Sequence, residues 1–178
     1  YGNEVREGQK NRIVIFQNNA KFVFIVSDLI KIIHNALCKN WDEMVGCIGE
    51  APVNPYNKQP FQKHHLYNLY FHMRFNMSIV IPEFIHIWFL HDFHLSLFCM
   101  KYEKFLLRMG IRHFISSCEC ETTIYKDICE MLNDNRHTRK WNIHPDFPRK
   151  KLFEAMCPYL YMYYLTQYDA LNCEDNIM

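Results

Sequence analysis

Cysteine and histidine side chains near the middle of the chain are the first candidates for chemistry, because thiolate sulfur and imidazole nitrogen bind zinc. Cys118 and Cys120 flank a single glutamate, and Cys129 and His113 lie nearby in sequence. Structural zinc sites typically combine two C-x₂₋₄-C pairs, whereas this cluster has one C-x-C. The spacing favours a capping loop with partly buried thiols, with zinc binding through these four residues as the alternative. We expect reduced thiols and no bound cofactor.

A second group of potential metal ligands lies in the longest apolar stretch, residues 79–100. His86, His91 and His94 occur there together with Asp92. Zinc-binding helices commonly carry two histidines four residues apart, as in H-E-x-x-H, and that motif is absent from the sequence. We therefore interpret these imidazoles as amphipathic side chains that fill one face of a helix.

The sequence motifs that commonly mark catalytic or phosphate-binding sites are absent. The chain contains no G-x-S-x-G, no G-x-x-x-x-G-K-[ST] and no G-x-G-x-x-G. With only 5 glycines among 178 residues, a glycine-rich loop that cradles phosphates is also disfavoured. We therefore predict that the protein is not an enzyme.

The strongest local charge feature is the segment 136–151, RHTRKWNIHPDFPRKK, which has six Lys or Arg residues and one Asp. Basic side chains neutralise phosphates and an aromatic ring stacks on bases, so this composition is typical of a nucleic-acid-binding surface. The alternative is a solvated loop and helix start, because the whole chain has a formal net charge of only +1. The candidate nucleic-acid-binding residues are Arg136, Arg139, Lys140, Trp141, Arg149, Lys150 and Lys151.

The C-terminal region is dense in tyrosine, a residue with an apolar ring and a polar hydroxyl that suits it to protein interfaces. On a helix these side chains point in several directions, so they cannot all face one core. Two interpretations have equal weight: a surface that is buried in an assembly, and a second layer of the core. The candidate interface residues are Tyr159, Tyr161, Tyr163, Tyr164 and Tyr168.

The elements that position these residues begin with a predicted β-hairpin at about residues 12–26. Two β-branched and aromatic runs, RIVIF and KFVFIV, lie on either side of Asn18 and Asn19. Asparagine tolerates the positive φ of a primed hairpin turn. Ser27 is expected to cap the helix that follows.

A single, mainly α-helical domain is predicted for residues 1–178, with the helical body at about 27–172. Residues 54–71, NPYNKQPFQKHHLYNLYF, form a turn-rich loop that leads directly into an amphipathic helix. Phe61 is expected to act as a hydrophobic staple between the loop and that helix. The predicted core residues of the helix are Leu66, Leu69, Tyr70 and Met73.

Proline and glycine delimit the later helices. We predict one buried helix of a soluble protein from Pro82 to about residue 100, rather than a transmembrane segment. An aspartate at a bilayer centre costs about 2.5–3.5 kcal/mol, and this stretch contains one. Gly110 is predicted to end the next helix, and Pro158 to kink or divide the last one.

Three segments together resemble a known group of proteins. They are KFVFIVSDLIKII at 21–33, NPYNKQPFQKHHLYNLYF at 54–71 and HPDFPRKKLFEAMCPYLYMYYL at 144–165. Their combination is similar to uncharacterised proteins of nucleocytoplasmic large double-stranded DNA viruses, of the mimivirus and algal-virus type. The resemblance extends over most of the chain and supplies no catalytic residues.

This resemblance implies a location in the virion or in a viral factory of the host cytoplasm. Reduced thiols and polar first residues without the pattern of a signal peptide are consistent with that location. We therefore expect a non-enzymatic virion component, a minor capsid or capsid-associated protein whose partners are other viral structural proteins. The alternative is a nucleic-acid-associated viral factor that uses residues 136–151. A second alternative is a zinc-binding protein that uses Cys118, Cys120 and Cys129.

Overall fold

The computed structural model describes residues 11–40, 49–77, 80–116 and 121–174. These residues form seven α-helices, one π-helix and a two-stranded antiparallel sheet at the N-terminal end. The prediction of a mainly α-helical fold with an N-terminal β-hairpin is confirmed. The chain divides into two compact units, unit 1 at residues 1–107 and unit 2 at residues 108–178.

The hairpin of unit 1 consists of β1 (Arg12–Gln17) and β2 (Ala20–Ile25). Asn18 and Asn19 form the two-residue turn with φ angles of 52° and 59°, which is the conformation that a primed turn requires. Alternate residues of β1 face the interior, and Ile15 is almost fully buried. The predicted hairpin and its turn residues are therefore confirmed.

The first helix, α1 (Val26–Leu37), follows β2 without a connecting loop. The first N–H group of the helix is satisfied by the backbone that precedes β1, because the Val26 N–H donates to the carbonyl oxygen of Asn11 at 2.9 Å. Ser27 therefore lies exposed within the first turn, and the prediction that it caps the helix is wrong. The buried stripe of α1 comprises Val26, Leu29, Ile33 and Leu37.

The next helices of unit 1 are α2 (Lys63–Phe71) and a π-helix (His72–Met77) that continues from it. Phe61, the predicted staple, is buried, and its ring contacts those of Phe24 and His65 edge-on at centroid distances of 5.9 and 6.2 Å. These contacts hold the loop before α2 against the hairpin. The four residues predicted as core are all buried: Leu66, Leu69, Tyr70 and Met73.

The apolar stretch that follows forms two helices, α3 (Glu83–Leu90) and α4 (Leu95–Lys101), so the prediction of a single helix is wrong. Asp92 and Phe93 separate them with φ angles of 54° and 49°, in the left-handed region that interrupts a right-handed helix. The turn places the Phe93 ring in the core, edge-on to Trp88 at 5.3 Å. Within the described residues, no helix is long and apolar enough to cross a membrane.

The fifth helix, α5 (Glu103–Ser116), continues through Gly110, so the predicted stop at that glycine is wrong. Glycine inside a helix costs about 1 kcal/mol relative to alanine. The neighbouring side chains of Leu107 and Ile111 are buried, and burial of each contributes about 1.5–3 kcal/mol. Burial on both sides of the glycine therefore outweighs its weak helix propensity.

Unit 2 contains a helical pair, α6 (Glu121–Asp134) and α7 (Arg149–Glu174). Pro158 lies inside α7, and the helix continues past it without being divided. The two helices share a core into which aromatic side chains of α7 also pack. The buried members of that core are Ile124, Ile128, Leu132, Leu152 and Leu160.

Candidate nucleic-acid interface

The segment 136–151, called the basic loop below, connects α6 to α7 and includes the first turn of α7. The Thr138 hydroxyl donates to the carbonyl oxygen of Leu132 at 2.7 Å, and the Thr138 N–H donates to that of Asn135 at 3.0 Å. The Trp141 N–H then donates to the Thr138 carbonyl oxygen at 2.7 Å. These bonds tie the first half of the basic loop to the end of α6.

Most cations of the basic loop are free to meet a ligand. The single acidic residue of the segment, Asp146, has its carboxylate 3.8 Å from Nδ1 of His144 and so leaves the lysines and arginines unneutralised. An exposed cation without a partner favours an anionic ligand. Four cations are exposed and form no ion pair within the described part of the chain: Arg139, Lys140, Lys150 and Lys151.

The two remaining arginines of the basic loop contact neighbouring side chains. The guanidinium of Arg149 lies over the ring of Tyr125 on α6, 5.2 Å from its centroid. The Arg136 Nε–H donates to Nε2 of His137 at 3.1 Å. Both arginines stay exposed, so these contacts orient the side chains without neutralising them.

Two aromatic side chains of the basic loop project into solvent. Trp141 is 64% exposed and Phe147 is 46% exposed. Sequence reasoning selected Trp141 but missed Phe147. The available signal was a large apolar residue between Asp146 and Pro148, in a stretch with no helical or strand periodicity.

Two of the predicted interface tyrosines join α7 to α6. The Tyr163 hydroxyl donates to Oδ2 of Asp134 at 2.5 Å, and the Tyr164 hydroxyl donates to Oδ2 of Asp127. Burial, followed by the hydrogen bond to Asp134, raises the pKa of Tyr163 to about 12. Burial, followed by the hydrogen bond to Asp127, also raises the pKa of Tyr164. Both side chains therefore stabilise the helix pair on which the basic loop is built.

The other three tyrosines differ in their surroundings. Tyr159 is 65% exposed. Tyr161 is partly buried, and the Arg112 guanidinium lies 5.5 Å from the centroid of its ring. Tyr168 is also partly buried. An interface role for this region stays a prediction, and Tyr159 has the accessible ring that such a role needs.

The three histidines of the apolar stretch, considered above as potential metal ligands, each have a different partner in the structure. Nδ1 of His86 is 2.9 Å from the Tyr70 hydroxyl, and Nε2 of His91 is 3.1 Å from the Tyr102 hydroxyl. His94 caps α4, because its Nδ1 accepts a hydrogen bond from the Leu97 N–H at 3.3 Å. The interpretation of these imidazoles as side chains of one helix face is wrong, since the chain turns between α3 and α4.

Asp92 also has partners of its own. Its carboxylate forms an ion pair with Lys63 and accepts a hydrogen bond from the Tyr67 hydroxyl at 2.6 Å. The Lys63 ammonium and the Tyr67 hydroxyl hold the pKa of Asp92 below its usual range. Among the residues that the structure describes, no group of three or more His, Cys, Asp or Glu side chains could hold a metal ion.

The predicted thiol cluster is only partly within the described chain. Cys118 and Cys120 lie outside the described residues. Cys129 is a partly buried free thiol on α6, and His113 is partly buried on α5. Zinc binding through these four residues therefore stays a prediction.

Each unit has an open cleft that is lined by described residues. Burial raises the pKa of the Cys157 thiol in the smaller cleft, which disfavours the reactive thiolate. The larger cleft, about 660 Å³ in unit 1, is lined by Arg74, Val80, Ile81, Pro82, Glu83 and His86. The smaller, about 360 Å³ in unit 2, is lined by Arg112, Ile115, Ser116, Cys157, Pro158 and Tyr161.

An aromatic ladder, formed by Tyr67, Phe71 and Phe75, lies along α2 and the π-helix of unit 1. Its rings are stacked, with centroid distances of 6.0 Å between the first two and 5.9 Å between the last two. Phe71 is 43% exposed and Phe75 is 73% exposed. A stacked apolar surface of this kind is a feature of protein-binding sites.

A buried polar network joins the hairpin of unit 1 to the loop before α2. Oε1 of Gln17 accepts hydrogen bonds from the amides of Asn54 at 3.0 Å and Asn57 at 3.2 Å. Nε2 of Gln17 donates to the carbonyl oxygen of Pro60 at 2.9 Å. Asn54 is fully buried, so this part of the loop supports the hairpin from the interior of unit 1.

His65 makes a second connection between the same parts of unit 1. Its Nδ1 accepts a hydrogen bond from the Gln62 N–H at 3.0 Å, and its Nε2 lies 2.9 Å from the Phe16 carbonyl oxygen. Because Nδ1 accepts, the ring proton of the neutral form is on Nε2 and is donated to Phe16. Burial lowers the pKa of His65, as does the neighbouring His64, while the bond to Phe16 opposes that shift.

Comparison of the chain with protein-family models, with curated proteins and with solved structures gives no match. A functional proposal therefore depends on the residues of this chain. The basic loop combines accessible charge with accessible aromatic rings, and within the described ranges it is the surface with the most defined ligand chemistry.

Proposed function

We propose that the protein is a non-enzymatic binding protein whose basic loop contacts the phosphates of a nucleic acid. The observation that supports this function is the exposure of Trp141 beside cations that form no ion pair within the described chain. Phosphate contacts supply sequence-independent affinity, and an aromatic ring adds stacking on a base. This is the nucleic-acid alternative that the sequence raised.

The arrangement of the cations supports backbone binding rather than the reading of base edges. They lie in two groups, with Arg139 and Lys140 before Trp141, and Lys150 and Lys151 in the first turn of α7. Lysine is a flexible point charge that suits a phosphate better than a particular base. We therefore expect affinity to fall steeply with salt, with a slope of about −0.7 to −0.9 per phosphate contact on a double-logarithmic plot.

The test replaces Arg139, Lys140, Lys150 and Lys151 together by glutamine and measures binding of labelled oligonucleotides across a salt series. We expect at least a tenfold loss of affinity at low salt and a shallower salt dependence. A matched control replaces four exposed cations elsewhere: Lys21, Lys31, Lys104 and Arg108. The control has the same net charge, so it separates a local site from a general charge effect.

The proposal is wrong if the unaltered protein does not bind nucleic acid at low salt. It is also wrong if both quadruple variants lose affinity equally, because the loop would then have no special role. Circular dichroism of each variant confirms that the helical content is unchanged.

A second candidate function is protein–protein contact in a viral particle, which is the leading expectation from the resemblance. The aromatic ladder supports it, because Phe71 and Phe75 form a stacked surface with large exposed fractions. Aromatic residues are enriched at protein interfaces. In this function the protein is a minor capsid or capsid-associated component that binds other viral structural proteins.

Mass spectrometry of purified virions tests the particle location, and absence of the protein from them contradicts it. Phe75→Ser tests the surface: it should reduce incorporation into particles while leaving stability almost unchanged, because the ring is mostly exposed. Phe16→Ser alters a ring of similar exposure on β1 and serves as the control. Equal incorporation of both variants would exclude the aromatic ladder as the contact surface.

A further inference from the structure

Trp141 presents its ring to solvent in the middle of the basic loop. The side chain is 64% exposed although tryptophan is among the residues that gain most from burial. Its backbone N–H is fixed by Thr138, so the ring projects from an anchored part of the loop. Among the described residues, no aromatic ring or cation packs on the indole. The indole face is therefore open to a planar ligand.

Phe147 provides a second open ring in the same loop. It is 46% exposed, and its N–H donates to the carbonyl oxygen of His144 at 2.9 Å, which fixes the backbone there as well. Lys140 directly precedes Trp141, and Arg149 follows Phe147 by two residues. Each ring thus has a cation near it in sequence, which is the combination that contacts a base and an adjacent phosphate.

We infer that the ligand of the basic loop is single-stranded nucleic acid, with bases stacked on Trp141 and Phe147 while the cations contact the phosphates. This inference rests on the proposed nucleic-acid function and specifies its substrate class. In a duplex, each base face is covered by the neighbouring base pair, so an aromatic ring could stack on a base only after that base had been unstacked, which costs free energy. In a single strand the base faces are accessible, and aromatic rings bind them with little sequence preference.

The test measures fluorescence anisotropy with a labelled oligothymidine of about 12 nucleotides and with a labelled duplex of the same length, at one salt concentration. We expect Trp141→Ala to weaken single-strand binding by about five- to a hundredfold and duplex binding by less than about twofold. Trp141→Phe should restore most of the single-strand affinity, because a planar ring is retained. Tyr159→Ala removes a ring of nearly equal exposure, 65%, from the same unit and should change neither affinity.

The possible results separate the inference from the function on which it rests. If Trp141→Ala weakens single-strand and duplex binding equally, or weakens neither, the inference is overturned. In that case a loss of binding on neutralising the four cations would still support the proposed function. If the unaltered protein binds neither oligonucleotide, both the function and the inference are overturned.

Discussion

Replacing His65 should destabilise unit 1, because this one imidazole joins the start of α2 to the hairpin. The residue is 5% exposed, and its ring makes two hydrogen bonds, one from the Gln62 N–H and one to the Phe16 carbonyl oxygen. His65→Ala removes both bonds, at about 1 kcal/mol each, and about 1–2 kcal/mol of ring burial. Gln62 is exposed, so water replaces part of the first bond. We therefore expect a loss of about 2–4 kcal/mol.

Substituting glutamine for His65 should cost about half as much. A glutamine at the third helical position accepts a hydrogen bond from the backbone N–H of the capping residue, as in a capping box. The bond from Gln62 would thus be kept while the bond to Phe16 is lost. Urea unfolding followed by far-ultraviolet circular dichroism at about pH 7.5 measures both variants against the unaltered protein.

The same imidazole should make unit 1 less stable in mild acid. Burial lowers the pKa of folded His65 below its usual value of 6.5. The corresponding stability is fully present above pH 6.5, and it declines as the pH falls towards the folded pKa, since the unfolded chain then binds a proton that the folded ring resists. Protonation would also place an N–H on Nδ1, opposite the Gln62 donor. His65→Gln lacks this titration and should lose less stability between about pH 7.5 and pH 5.5.

Two results would refute this account of His65. The first is a cost of less than about 0.5 kcal/mol for His65→Ala, which would mean that neither hydrogen bond contributes. The second is an identical pH dependence for the unaltered protein and His65→Gln. His144→Gln removes an exposed imidazole of the basic loop and controls for the general effect of losing a titratable residue.

Three further predictions concern other contacts. Gly49→Ala should cost about 1–3 kcal/mol in urea unfolding, because φ is +91° there and an added Cβ would lie 3.2 Å from the Leu37 carbonyl oxygen; an unchanged midpoint would contradict this. Tyr164→Phe should cost about 1–2 kcal/mol by leaving Asp127 without its hydroxyl donor, whereas Tyr159→Phe should cost almost nothing; equal effects would contradict the assignment. The pKa of Tyr163 is raised to about 12, so its contribution to the free energy of unfolding is complete below pH 10. That contribution is lost as the pH rises towards 12. Tyr163→Phe should therefore flatten the alkaline decline of stability, and an unchanged decline would exclude this tyrosine as its source.

Local sequence signals were sufficient to predict those elements whose backbone conformation is determined by residues close together in the chain. The hairpin was predictable because Asn18 and Asn19 tolerate positive φ between two β-branched runs. The core stripe of α2 was predictable because its apolar residues recur at the helical period.

Sequence reasoning failed where tertiary packing outweighs local preference. The turn at Asp92 and Phe93 contains neither glycine nor proline, and it forms because it buries Phe93 against Trp88. Gly110 does not end α5, because the side chains beside it are buried.

The candidate site was only partly predictable for the same reason. Composition alone identified the cations of the basic loop and Trp141. By contrast, the bond from Tyr164 to Asp127 joins residues 37 positions apart, and the placement of Arg149 over Tyr125 depends on how α6 and α7 pack. No local pattern encodes either contact.

The hydrogen bonds that secure the hairpin also determine when unit 1 can fold during its synthesis. The Gln17 side chain can form its hydrogen bond only after Asn54 is synthesised, 37 residues later. The Phe16 carbonyl oxygen can form its bond only after His65 is synthesised, 49 residues later. At about 5–20 residues per second, the nascent hairpin is without these partners for about 2–10 seconds, and an isolated two-stranded hairpin is only marginally stable. A ribosome that stalls before the codon for Asn54 therefore displays an incomplete unit 1, a target for chaperones and proteases.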